Sequence, residues 1–273
     1  MINAIFIVWR ESLEAMLVIG VLSAWIARQS DRSGLQRTLW LGVVGGVLLA
    51  GTMAMLTFSA QNLLEGNALE IFQLCMVLIA AVLILEMLVW MRKHGRHMKQ
   101  NLEAGAARAA EGSGQYGLAL IAALAVGREG AETVVFLYGM GMERQGGALL
   151  ELTWSALTGI GAAALTAWLV ARGARYLNYR TLFRCSEVAL LLIACSLIGN
   201  GVDRILGLDW LPMLSNSIWD SSALLDDSSR FGKVLADFVG YRAQPSVLLL
   251  MVYLAFWSAS WWRLRDHSNG SGR

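Results

Sequence analysis

Charge is scarce in this sequence. Asp, Glu, Lys and Arg make up 15% of its 273 residues, where a soluble domain carries about 25%. Proline is nearly absent, at two residues, and there are three histidines and three cysteines. With 56% hydrophobic residues and a mean hydropathy of +0.54, this shortage excludes a soluble globular enzyme and a disordered chain. Cys75, Cys185 and Cys195 are odd in number, show no metal-type spacing and lie in or beside apolar stretches. They exclude a disulfide scaffold and read as small buried residues. A net charge of +2 argues against a nucleic-acid partner. The first apolar segment opens at Ile2 without a basic n-region, and no small-residue cleavage site follows it. No removable signal peptide is therefore expected.

Glycine, at 28 residues, and long apolar runs are what the chain has in quantity. Seven stretches are long enough to cross a bilayer, at 2–27, 39–60, 69–91, 117–141, 149–171, 185–202 and 245–262. None alternates, which excludes a β-barrel. The expected fold is an all-α membrane protein, one permease-like domain over 1–273 with lipid bilayer as its surroundings. Fifteen Lys and Arg residues fall in the 28–38, 92–116 and 172–184 linkers and the C-terminal tail, against five on the other side. Basic loops stay cytoplasmic, so the N-terminus is expected outside and the C-terminus inside. The outer loop 203–244 holds Asp203, Asp209, Asp220, Asp226, Asp227 and Asp237. It is either a solvated loop, with room for short surface helices, or a collector of cations through groups such as Asp226 and Asp227.

One motif occurs twice. Arg10-Glu11-Ser12-Leu13-Glu14 recurs as Arg128-Glu129-Gly130-Ala131-Glu132, and Glu70 and Glu187 open the third and sixth stretches at nearly the same offset. Repeat one, about 1–92, and repeat two, about 117–202, are separated by three spans and so have opposite orientation. That is the inverted 3+3 repeat of secondary transporters, here followed by a last helix at about 245–262.

A charged side chain at the centre of a span costs about 2.5–3.5 kcal/mol on insertion scales, and each motif places three within five positions. Arg10 and Glu14, four apart, share a helix face, as do Arg128 and Glu132. Each motif carries one carboxylate more than it has guanidinium groups. A structural ion pair needs no surplus, whereas a hard cation needs several oxygen ligands. Glu70 and Glu187, near span ends, are secondary candidates, and Glu86 lies close enough to an end to reach water. His94 and His97 sit in a basic linker, where neighbouring cations oppose a metal. Methionines read as packing, tryptophans near span ends as an interfacial belt. Gly42 and Gly46, and Gly159 and Gly161, read as helix contacts.

Two Arg-Glu-x-x-Glu motifs in the first and fourth of seven spans resemble the oxidase-dependent iron permeases of bacteria and fungi. The run Trp90-Met91-Arg92-Lys93-His94-Gly95-Arg96 is similar to bacterial members. Ser12 stands where that family usually has Gly, and Ala131 where it usually has Leu; neither change touches a charged position. The resemblance implies high-affinity import of iron, Fe2+ or Fe3+, across the inner membrane, with iron as substrate and no permanently bound cofactor. It implies iron ligation by Glu11, Glu14, Glu129 and Glu132, supported by Arg10 and Arg128. It also implies an extracytoplasmic ferroxidase or iron-binding protein as partner. Two rivals stand beside it. One is another carboxylate-based divalent-cation or proton-coupled transporter. The other is a membrane di-iron oxidoreductase, which normally adds Glu-x-x-His motifs on its helices; His94, His97 and His267 all lie outside the spans.

Overall fold

A computed structural model describes residues 2–29, 32–94, 98–112, 115–140, 148–172, 179–227 and 229–266. Among the described residues there are nine α-helices, one 3-10 turn at Pro212–Leu214 and no strand. The helices are α1 (Ile2–Ile26), α2 (Arg32–Leu63), α3 (Asn67–His94), α4 (Met98–Gly112), α5 (Gln115–Gly139), α6 (Ala148–Ala171), α7 (Tyr179–Gly207), α8 (Arg230–Val239) and α9 (Val247–Asp266).

Apart from one or two residues at some ends, each of the seven apolar stretches lies on one long helix. Several helices outrun the apolar stretch that predicted them: α2 starts at Arg32 and α7 at Tyr179. Helix propagation gains one hydrogen bond per added residue, so it continues through polar residues until capped or broken. Two connections read as linker and loop contain helices of their own, α4 and α8. By length and composition α2, α3, α6 and α7 can cross a membrane, and α9 has a shorter apolar stretch, Val247–Trp261. At 25 residues each, α1 and α5 are about 37 Å long, enough for a hydrocarbon core of about 30 Å. What sets them apart is the charged motif midway along each. On α2, Leu41, Val44, Leu48 and Leu56 point outward; so extensive an exposed apolar face fits lipid, not water.

Two compact units divide the chain. The first comprises Met1–Asn62, His94–Leu137 and Arg144–Tyr179; the second comprises Leu63–Lys93, Tyr138–Glu143 and Arg180–Arg273. Part of the first unit's core is Val18, Leu22 and Ile26 of α1, Leu35 and Leu39 of α2, Ala106 of α4, and Leu118 and Ala122 of α5. Glycine sets the closest approaches around it. A Cβ at Gly46 of α2 would lie 2.7 Å from the Val126 Cβ and 2.8 Å from the Ala123 carbonyl of α5. A Cβ at Gly159 of α6 would lie 2.7 Å from the Val8 Cβ of α1. Gly42 is equally confined by Ala119 and Ala122, while Gly161 faces open space, so the expected helix contact exists at Gly159 alone of that pair.

The second unit buries Leu74, Val77 and Ile84 of α3 against the interior, with Leu190, Ile193 and Leu197 of α7 and Leu249 and Phe256 of α9. Polar side chains join its helices. Arg92 Nη2 lies 3.1 Å from Glu187 Oε2, and an Arg204 Nη1 donor meets Gln73 Oε1. Arg242 donates to Asp203 Oδ2 at 2.8 Å and to Asn200 Oδ1 at 2.6 Å. All three cysteines are free thiols, but only Cys195 is buried. Cys75 and Cys185 are exposed, because they sit on outward helix faces.

Candidate metal-binding site

Arg10 is the largest side chain in the first unit with almost no exposure, 1%. A guanidinium cannot shed its charge, so burial there demands anionic partners. Helix α1 supplies them from its own sequence. Arg10 Nη1 donates to Glu11 Oε1 at 2.7 Å, and Arg10 Nη2 is ion-paired with Glu14 Oε1 one turn along. Glu11 is 1% exposed and Glu14 9%. Helix α5 repeats half of this arrangement. Arg128 Nε donates to Glu132 Oε1 at 2.7 Å across one turn, but the Arg128 side chain is 46% exposed.

The two helices then bring carboxylates together. One oxygen each from Glu11, Glu14 and Glu129 lies within 4.8 Å of the others. Oε2 of Glu11, of Glu129 and of Glu132 is buried without a hydrogen-bond partner among the described residues. Two like charges about 5 Å apart repel by about 3 kcal/mol at an effective dielectric of about 20. Buried carboxylate oxygens this close are therefore unfavourable as anions unless a cation or a proton joins them. Oxygen-only donors suit a hard or borderline ion. Among the described residues no His or Cys belongs to this group.

The packing of α5 explains why Glu129 reaches α1's carboxylates. Gly130, inside the second motif, faces Ala50 of α2, and a Cβ there would overlap the Ala50 Cβ. Gly127, one residue before Arg128, would place a Cβ 2.6 Å from Leu49 Cδ2. Gly127 and Gly130 thus let α2 pack closely on α5, a contact that the charge pattern alone could not reveal.

The other candidates lie elsewhere. Glu70 is exposed in the first turn of α3, a favourable place for an anion beside a helix N-terminus. Glu187 is paired with Arg92, and Glu86 is exposed. In the 203–244 connection several carboxylates serve local structure. Asp227 Oδ2 accepts from Ala243 N at 3.4 Å, and Asp203 accepts from Arg242. Ser222 and then Gln244 donate to Asp220 and hold its carboxyl below the usual aspartate value. Asp226 is exposed, and its carbonyl accepts from Ser229 Oγ at 2.6 Å. Of the histidines, His94 ends α3, and His97 and His267 fall outside the described residues.

Residues 1–264 match the iron permease FTR1 family. The chain belongs to that family. It is a multi-pass membrane transporter and not an enzyme, and iron is its transported substrate. This permease is 28% identical over 257 residues to the ferrous iron permease EfeU of Escherichia coli O6:H1 strain CFT073, covering 92% of this chain and 90% of the relative. The Shigella sonnei EfeU of the same name is also 28% identical, with the same coverage. The Yersinia pestis ferrous iron permease EfeU is 25% identical over 252 residues, covering 92% of this chain and 88% of the relative. No solved structure matches this permease.

Proposed function

We propose that this permease imports iron across the bacterial inner membrane through the carboxylate cluster of α1 and α5. The observation that carries the proposal is the convergence of Glu11, Glu14 and Glu129 within 4.8 Å. These three residues replace water around the ion, and Glu132 offers its second oxygen as a fourth ligand. Arg10 holds two of the carboxylates in position through its paired bonds, and Arg128 holds Glu132. The surplus of anions over guanidinium groups is what draws a cation in. The EfeU relatives are named for ferrous iron, which favours Fe2+ as the ion presented to the site. A separate extracytoplasmic partner delivers the ion: an iron-binding protein would hand over Fe2+ unchanged, whereas a ferroxidase would oxidise it and hand over Fe3+.

Seven spans in an inverted 3+3 repeat, followed by α9, make the scaffold. The contacts inside the first unit support this reading. Helix α2, second in its repeat, packs through Gly46 on Val126 of α5, the first helix of the other repeat. Helix α6 returns the contact through Gly159 on Val8 of α1. Val8 and Val126 each stand two residues before the motif arginine. Such reciprocity is what a two-fold axis in the membrane plane produces. The units follow the same rule, since the first two helices of each repeat lie in one and the third helices, α3 and α7, lie in the other.

Radioactive iron uptake in a strain lacking other importers tests the function. Uptake should rise on expression of this chain and resist competition by manganese; uptake of manganese in preference to iron would transfer the site to another divalent cation. The topology has its own test. A reporter after Arg273 should be cytoplasmic and one near Asp226 extracytoplasmic, and a C-terminal reporter found outside would remove both the seven-span count and the inverted repeat.

A further inference from the structure

Between α7 and α9 the chain carries exposed apolar side chains that are not part of the proposed iron site. Met213 and Leu224 are each 90% exposed, and Trp210, Trp219 and Phe231 are exposed beside them. Helix α8 organises this segment. Ser229 caps its start, accepting from Gly232 N at 3.0 Å, and Gly240, at φ 77°, ends it with a left-handed turn.

Its surface divides into three arcs at 100° per residue. Gly232 and Ala236 form a small face, buried within the second unit. Ser196 Oγ of α7 donates to the Ala236 carbonyl at 2.8 Å, and Tyr253 Oη of α9 donates to the Gly240 carbonyl at 2.7 Å. Tyr253 lies six residues, roughly 9 Å of helix, inside α9 from Val247, and Ser196 lies eleven residues, roughly 16 Å, inside α7 from Gly207. The C-terminal half of α8 therefore lies alongside the two helices and not beyond their ends. The second arc, Phe231, Val234 and Val239, is apolar and exposed; the third, Lys233 and Asp237, is charged and exposed.

We propose that α8 and the Trp210–Leu224 segment form an in-plane anchor seated in the headgroup–acyl boundary of the bilayer. A helix with a packed face, an apolar face and a charged face, set beside two apolar helices, meets protein, acyl chain and water at once only at that boundary. Tryptophan is the side chain that prefers this level. Helices α7 and α9, against which α8 packs, themselves carry outward apolar side chains, Val188, Leu254 and Trp257. Lipid is thus the occupant that needs no additional partner.

Nitroxides attached at Phe231→Cys, Val234→Cys and Asp237→Cys test this in the full chain reconstituted in phospholipid vesicles. The background carries Cys75→Ala and Cys185→Ala, keeps buried Cys195, and is itself checked for labelling. At 231 and 234 collision with oxygen should exceed collision with a water-soluble nickel chelate several-fold, and at 237 the order should reverse. Nickel collisions exceeding oxygen at 231 and 234 would make the segment a solvated loop. Suppression of both would place protein, a partner or a second copy, on the patch; either result overturns the anchor. Should the cysteine variants fail to insert, quenching by dibrominated phospholipid decides. Trp210→Phe with Trp219→Phe should lower the lipid-quenched share of tryptophan emission relative to wild type, and an unchanged share overturns the proposal.

Discussion

Glu129→Gln should reduce high-affinity iron uptake by about 100-fold or more while the chain inserts at normal abundance. Loss of an outer-shell partner typically costs 10–100-fold in metal affinity or activity, and Glu129 is proposed as a direct ligand. Glutamine keeps the side-chain size and one oxygen, so the defect reports charge more than shape. Glu129 is a sharper choice than its neighbours. Arg10 bonds to Glu11 and Glu14, and Arg128 bonds to Glu132, whereas Glu129 Oε2 is buried with no hydrogen-bond partner among the described residues. Neutralising it therefore removes attraction for a cation without detaching either bond of Arg10. The measurement is initial iron uptake against iron concentration, normalised to membrane abundance by immunoblot. Normal uptake by a well-inserted Glu129→Gln chain would reduce the motifs to helix-joining ion pairs and remove the site from α1 and α5.

Arg10→Ala should strip the chain from the membrane, and Arg10→Lys should spare abundance but not transport. Removing one partner of a buried ion pair costs about 3–5 kcal/mol, because the remaining charges are left without compensation. Here the remaining charges are the Glu11 and Glu14 carboxylates, with Glu129 within 4.8 Å of both. A loss of that size is a large fraction of the whole stability of many domains, about 5–15 kcal/mol. Lysine restores a positive charge but is a single compact centre. It cannot grip Glu11 and Glu14 through two separate nitrogens, as Arg10 does. Both variants are read by membrane abundance and by uptake per molecule. Normal abundance of Arg10→Ala would mean that the carboxylates do not depend on this guanidinium.

Much of the molecule was legible in the amino-acid order. The seven apolar stretches each became a long helix, since apolar length is the requirement a bilayer imposes. The four-residue spacing of Arg10 and Glu14, and of Arg128 and Glu132, became two ion pairs because the α-helix fixes that neighbourhood. Helix α4 was not legible, and α8 only as a short helix expected somewhere in the 203–244 connection. Their apolar content is too small to register as a span, and they are held by tertiary contacts such as Ala106 in the first unit's core and Ala236 under Ser196. Cys75 and Cys185 were read as buried and are exposed. In a membrane protein an apolar neighbourhood in sequence does not separate an inward face from a lipid-facing one.

By itself the sequence determined the helix count of the apolar part, the duplication of the charged motif and the local pairing within each copy. Those properties depend on helix period and side-chain transfer energy alone. Only the tertiary structure decided that Glu129 joins Glu11 and Glu14, while Glu132 is tied through one oxygen to Arg128. That choice depends on how closely α2 presses α5 through Gly46, Gly127 and Gly130 and how closely α6 presses α1 through Gly159. Helix period says which residues share a face of one helix. Which other helix meets that face, and at what distance, is set by packing between segments far apart in the chain.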